Sequence, residues 1–137
     1  MIKKFSVLLL IFLIAGCSKQ EEKFELYSPV AFAYSLDNSW ELNASCQAKG
    51  FAKKEYKGRL GAQVSFVIDL KTPDGVIKKD VQHGRVDQLA DKDVIDLAIN
   101  TQINLDSTYK AGKYILIFNA KDDYTGRKAK IERQFEL

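Results

Sequence analysis

With 137 residues, 28% of them charged and 46% hydrophobic, and a formal net charge of +3, the chain has the material for one ordinary globular domain. Two of the positive charges, Lys3 and Lys4, precede an apolar run and leave with it if that run is cut away, so nineteen Lys and Arg then face eighteen Asp and Glu. So even a balance excludes a broad phosphate-binding field, and with it a nucleic-acid partner.

The first element in chain order is an export signal. Lys3 and Lys4 form a positive start, residues 5–15 an apolar stretch, and Ala15-Gly16 a small pair before Cys17. A membrane span takes roughly 20 apolar residues, and the charged run Lys19-Gln20-Glu21-Glu22-Lys23 arrives too early for one. The segment Leu13-Ile14-Ala15-Gly16-Cys17 resembles the lipobox of bacterial lipoproteins. That resemblance implies cleavage after Gly16 and acyl chains on Cys17, the lipid attachment site. It implies a plan of signal peptide 1–16, lipidated cysteine and polar tether 17–25, and folded domain 26–137. It places the protein in the bacterial cell envelope. Ser18, rather than Asp, after the cysteine favours the outer membrane in a Gram-negative host. Two or more acyl chains anchor stably, and about eight flexible tether residues span roughly 15 Å.

Past the tether the apolar residues alternate. Trp40, Leu42, Ala44, Cys46 and Ala48 share one face against Glu41, Asn43, Ser45, Gln47 and Lys49, the period of a half-buried strand. Cys46, left without a partner once Cys17 carries lipid, is expected in the core rather than as a nucleophile. Gly50 and Gly58 bracket a polar connection, and Leu60, Ala62, Val64, Phe66, Ile68 and Leu70 form the next apolar face. Thr72-Pro73-Asp74-Gly75 is a turn in which Pro fixes one dihedral and Gly accepts a positive one. A weaker strand over 76–83 is expected to stop at Gly84, followed by a short helical turn over 86–90 and a strand rich in β-branched residues up to Ile103. Tyr114, Leu116, Phe118 and Ala120 alternate again, with Ile115 and Ile117 on the reverse face, which suggests a central strand covered on both sides. After the turn 122–126 comes an edge-like run in which Ala129, Ile131, Phe135 and Leu137 alternate with charged or polar residues.

About seven antiparallel strands in about 120 residues predict an all-β fold, an immunoglobulin-like or fibronectin type III-like β-sandwich. Residues 105–126, with Gly112-Lys113-Tyr114-Ile115-Leu116 and Ala120-Lys121-Asp122, resemble the E–F corner, F strand and F–G hairpin of bacterial immunoglobulin-like domains. Trp40 is similar to the core tryptophan of such folds, while the disulfide of antibody domains is missing, so packing alone has to hold the sheets together.

Catalytic chemistry has little to stand on. His83 is the single histidine, and no Ser-His-Asp, Cys-His or metal-spaced cluster can be assembled around it. The pairs Asp91/Asp93 and Asp122/Asp123 suit loop turns better than an acid/base cleft or a calcium loop. The expectation is therefore no enzyme, no cofactor and no metal. The sequence points to a membrane-anchored accessory or protein-binding subunit of an envelope assembly, held by Cys17 and facing another envelope protein. Tyr56 and Tyr124 in loops and the basic residues Arg127, Lys128 and Lys130 are the candidate contacts. The alternative is a small-ligand or glycan-binding module, or an inhibitor of a periplasmic hydrolase.

Overall fold

The computed structural model describes residues 22–91 and 96–137. The lipobox, Cys17, Ser18 and the first tether residues lie outside the described residues, as do Asp93, Val94 and Ile95. Eight strands follow in order: β1 Glu25–Ser35, β2 Trp40–Lys49, β3 Lys54–Tyr56, β4 Arg59–Lys71, β5 Ile77–Ala90, β6 Asp96–Leu105, β7 Lys113–Asp122 and β8 Lys128–Glu136. All pairings are antiparallel, and the described residues contain no helix.

One sheet has the order β1-β2-β6. In the other, Val64 of β4 pairs with Val86 of β5 on one edge and with Asp122 of β7 on the other, and β8 continues beyond β7. Leu60 pairs with both Ala90 and Glu55, so the short β3 shares the β7 edge of β4. In immunoglobulin lettering the two sheets match A-B-E and C′-C-F-G, and the chain is an all-β antiparallel sandwich of that kind. The corner between β6 and β7 carries the corresponding tyrosine corner: the Tyr114 hydroxyl donates to the Lys110 carbonyl at 2.6 Å, four residues upstream.

The inner faces are those the alternation marks out. Leu42, Ala44, Cys46 and Ala48 of β2 and Leu97, Ile99, Ile103 and Leu105 of β6 meet Val64, Phe66, Ile68 and Leu70 of β4 and Tyr114, Leu116 and Phe118 of β7. Each Val, Leu, Ile or Phe side chain among them contributes roughly 1.5–3 kcal/mol by leaving water. Trp40 packs at the margin of this core rather than at its centre. Phe24 is already buried and β1 opens at Glu25, so packing begins ahead of Leu26.

Three local features depart from the sequence periodicity. β5 does not stop at Gly84 and makes no helical turn over 86–90; it stays extended to Ala90 because β4 pairs with it along its length. Gly84 sits inside the strand because Phe66 lies across it: a Cβ there would stand 2.8 Å from the Phe66 ring. β7 is central, between β4 and β8, but among the described residues no layer covers its reverse face. Ile117 is shielded there between its cross-strand neighbours Asp69 and Glu132.

The third departure is in β1. Tyr27 pairs with Gln47 and Val30 with Ser45, so Ser28 and Pro29 together oppose Cys46 alone. Ser28 takes a positive φ of 51°, and Pro29 lacks the N–H a regular ladder would need. A regular strand would carry Leu26, Val30, Phe32 and Tyr34 on one face. The bulge shifts the phase after Leu26, turning Ala31 and Ala33 toward the core and Val30, Phe32 and Tyr34 outward.

Candidate binding surface at the tether end

The loops 50–53, 57–58 and 123–127 lie at the end of the sandwich where the described chain begins, together with the start of β6 and the end of β5. Three local devices build this end. Lys57 and Gly58 take φ of 51° and 77° between Tyr56 and Arg59, the backbone of a type I′ hairpin, which holds β3 tight on β4. Asp122, fully buried at the end of β7, accepts from the Tyr124 N–H at 3.0 Å, closing the β7–β8 turn, and from the Ala52 N–H at 2.7 Å, fastening loop 50–53 to it. Gly50, at φ 73°, lets the chain start pass: a Cβ there would stand 2.0 Å from the Lys23 carbonyl oxygen.

Arg127 completes the joint. Its Nη1 donates to the Glu22 carbonyl at 2.9 Å, its Nη2 to the Gly50 carbonyl at 2.8 Å with Asp122 Oδ2 at 3.4 Å, and its Nε to the Thr125 hydroxyl at 3.2 Å. With its donors directed inward, Arg127 acts as a clamp on Glu22 ahead of β1, while Lys128 and Lys130 are both exposed on β8. Lys130 stands 4.0 Å from Glu132 across water-exposed surface, a spacing that contributes little.

Tyr56 and Tyr124, far apart in sequence, line one cleft of about 420 Å³ with Lys54, Gln63, Asp87 and Leu89. Lys54 Nζ lies 4.6 Å from the centre of the Tyr124 ring, a cation–π distance, while Tyr56 remains largely exposed. Gly61 floors the cleft: an added Cβ would stand 3.4 Å from the Tyr124 hydroxyl and 3.6 Å from Leu89. An apolar floor with a lysine, a carboxylate and two phenols at its rim can take a loop or side chain of a partner.

Of the carboxylates and the thiol raised by the sequence, those within the described residues are engaged in structure. Asp123 accepts from the Ser65 hydroxyl at 2.6 Å, and Asp91 pairs with Arg59 at 2.7 Å. Asp69, on the outer face of β4, accepts from the Asp80 N–H at 2.8 Å and from Asn119 at 3.1 Å, which anchors the irregularity in β5 where Asp80 has φ 51°. His83 stands exposed with Nδ1 2.9 Å from Asp80. Burial pushes the Cys46 thiol up to about 12, so it is a neutral core group at ordinary pH. Among the described residues no group of three or more His, Cys, Asp or Glu side chains converges as a metal site.

At the opposite end a second cleft, of about 430 Å³, lies between the β4–β5 turn and the β6–β7 loop, with Lys78 Nζ 4.0 Å from the Tyr109 ring centre. The Thr72 and Thr108 hydroxyls hold the Asp74 and Asp106 carboxyls below the usual carboxylate range. These are turn-stabilising contacts, and alternation along strands gives no signal for the cleft between them.

No family model and no curated protein matches the chain. Among solved structures it is similar to part of β-glucosidase 3B from Thermotoga neapolitana in complex with α-D-glucose, at 16% identity and a TM-score of 0.39 over 84% of this chain. The chain spans 17% of that enzyme's length.

Proposed function

We propose that the chain is a lipid-anchored protein of the bacterial cell envelope, held through acyl chains on Cys17, in the outer membrane if the host is Gram-negative. It acts there without catalysis, as a protein-binding or accessory subunit of an envelope assembly. The observation that carries this reading is the polarity of the fold: Tyr56, Tyr124, Lys128 and Lys130 stand at the end where Glu22 leaves, clamped by Arg127. Five residues of chain from Cys17 to Glu22 reach no further than about 18 Å even when fully extended. Contacts made at this end therefore lie beside the membrane, which favours a partner that is itself membrane-associated.

The test combines mass and crosslinking in intact envelopes. The purified protein carries acyl mass on Cys17, and Cys17→Ala releases it from the membrane fraction. A photo-crosslinking residue in place of Tyr56 or Tyr124 forms an adduct with a protein, and the adduct is lost with Cys17→Ala. A species without acyl mass, or the absence of a protein adduct from both positions, overturns the reading.

A further inference from the structure

The outer face of the β1-β2-β6 sheet differs from the rest of the surface. After a charged first row, Glu25–Lys49–Asp96, its cross-strand rows are Tyr27–Gln47–Ala98, Val30–Ser45–Asn100 and Phe32–Asn43–Gln102, three rows of three positions without a formal charge, followed by Tyr34–Glu41–Asn104. The other sheet shows Arg85, Asp87, Lys121, Lys128, Lys130 and Glu132 outward, in a chain that is 28% charged. On the uncharged face Val30, Phe32 and Tyr34 are 44%, 46% and 57% exposed, and Phe32 and Tyr34 meet edge to face at 5.3 Å. They are outward only because of the Ser28–Pro29 bulge; the regular register would have hidden them. Beside them the Asn and Gln amides offer donors and acceptors together, around a shallow depression of about 210 Å³ between Phe32, Asn43, Ser45 and Asn100.

We infer that this face binds an uncharged polysaccharide chain. The argument is chemical complementarity. The three rows carry no formal charge, and the rows flanking them hold three carboxylates, Glu25, Asp96 and Glu41, against the single ammonium of Lys49 over the Tyr27 ring, a balance that does not attract phosphates, anionic lipid or an acidic peptide. An acyl chain or an apolar protein surface would cover the rings but leave Gln47, Asn100 and Gln102 dry and unpaired, Asn43 already donating to Glu41 at 3.2 Å. A neutral sugar chain satisfies both halves, because its C–H faces lie against aromatic rings and its hydroxyls both donate and accept, as amides do. Extended along β1, β2 and β6, the chain would have a bed about 20 Å long, three steps of two residues from the Tyr27 row to the Tyr34 row.

The test uses the full chain in detergent with two insoluble probes, chitin and cellulose, and with neutral phosphatidylcholine vesicles. The expected result is retention on at least one of the two glycans, insensitive to salt because no charge is involved. Phe32→Ala with Tyr34→Ala weakens retention tenfold or more and Asn100→Ala weakens it several-fold, while Val76→Ala, an equally exposed apolar residue in a turn, leaves it unchanged. All four side chains are at the surface, and an unchanged urea midpoint verifies that the variants fold. Retention on neither glycan, strong salt dependence, retention untouched by the Phe32/Tyr34 variant, binding to the vesicles, or self-association abolished by that variant each overturns the inference. The measurement does not involve Cys17 or the cleft at Tyr56, so its failure and that of the proposed anchoring are separate results.

Discussion

Replacing Asp122 with Ala is the most informative stability experiment, because one fully buried carboxylate joins the β7–β8 turn, loop 50–53 and the chain start. The variant leaves the Ala52 and Tyr124 N–H groups without their acceptor, and each unpaired donor costs about 1–3 kcal/mol. The Arg127 contact adds less: at 3.4 Å, with the arginine side chain one-third exposed, it is discounted to about 1 kcal/mol or below. The sum is about 2–7 kcal/mol, a large part of the stability of a domain this size. At a urea slope of about 1.5 kcal/mol per molar the midpoint falls by about 1–5 M. A double-mutant cycle with Arg127→Ala sharpens the test, since coupling below about 1 kcal/mol is expected if the carboxylate acts mainly on the backbone N–H groups. A midpoint shift under about 0.5 M for Asp122→Ala, or a coupling that accounts for most of its effect, would refute this account of the joint.

Gly50→Ala meets both the Lys23 carbonyl and a φ of 73°, so a loss of about 2 kcal/mol or more is expected in the same unfolding assay. Tyr114→Phe removes the hydroxyl that closes the β6–β7 corner on Lys110 and should cost about 0.5–1.5 kcal/mol with the sheets intact by circular dichroism. Cys46 gives a pH prediction. Its folded value is raised to about 12 from an ordinary 9.0, so the unfolded chain releases a proton that the native state keeps. The Cys46 contribution is therefore present in full below pH 9 and is lost as pH rises toward 12, by at most about 1.4 kcal/mol per pH unit. Cys46→Ala should flatten that part of the profile, and a thiol reagent should modify Cys46 only at the rate of unfolding.

Sandwich architecture was legible in the sequence because a sheet face is a local pattern. Each of β2, β4 and β7 carries four or more apolar residues at a spacing of two, and every one of those runs is buried in phase. Tyr114, too, stood in the segment that resembles an E–F corner, and its hydroxyl makes the corner bond. What failed depended on partners distant in the chain. Gly84 breaks a strand in isolation, yet β4 supplies both the ladder and the Phe66 ring that covers it. The apparent helical period over 86–90 was overridden by the same pairing. Tyr124 is in a loop as expected, but Tyr56, expected in a loop too, closes β3 opposite Arg59, and that the two share a cleft follows from β3 lying on the β7 edge of β4. Arg127 looked like one member of a basic cluster because its acceptors are main-chain carbonyls, and no side-chain pattern marks a carbonyl.

Bulge and clamp together give the domain a direction. Because Arg127 ties Glu22 to Gly50, the chain enters at one end of the strands, and the strands run away from that end. A face made by β1, β2 and β6 is then set at the side of the body, parallel to the strands, instead of at the tip. If the anchor is at Cys17, the basic residues near the entry point stand toward the lipid surface, where opposite charge draws them to anionic head groups. The charge distribution differs between the sheets: lysines and acids crowd the β4-β7-β8 sheet and the entry end, while the three middle rows on the outer face of the other sheet carry none. An outward aromatic stripe on an edge strand is an aggregation hazard, and here the bulge that exposes it also interrupts the β1 ladder, since Ser28 and Pro29 disturb the regular row of donors a second strand would need. The same two residues therefore account for both the exposure of the stripe and the protection of the edge that carries it.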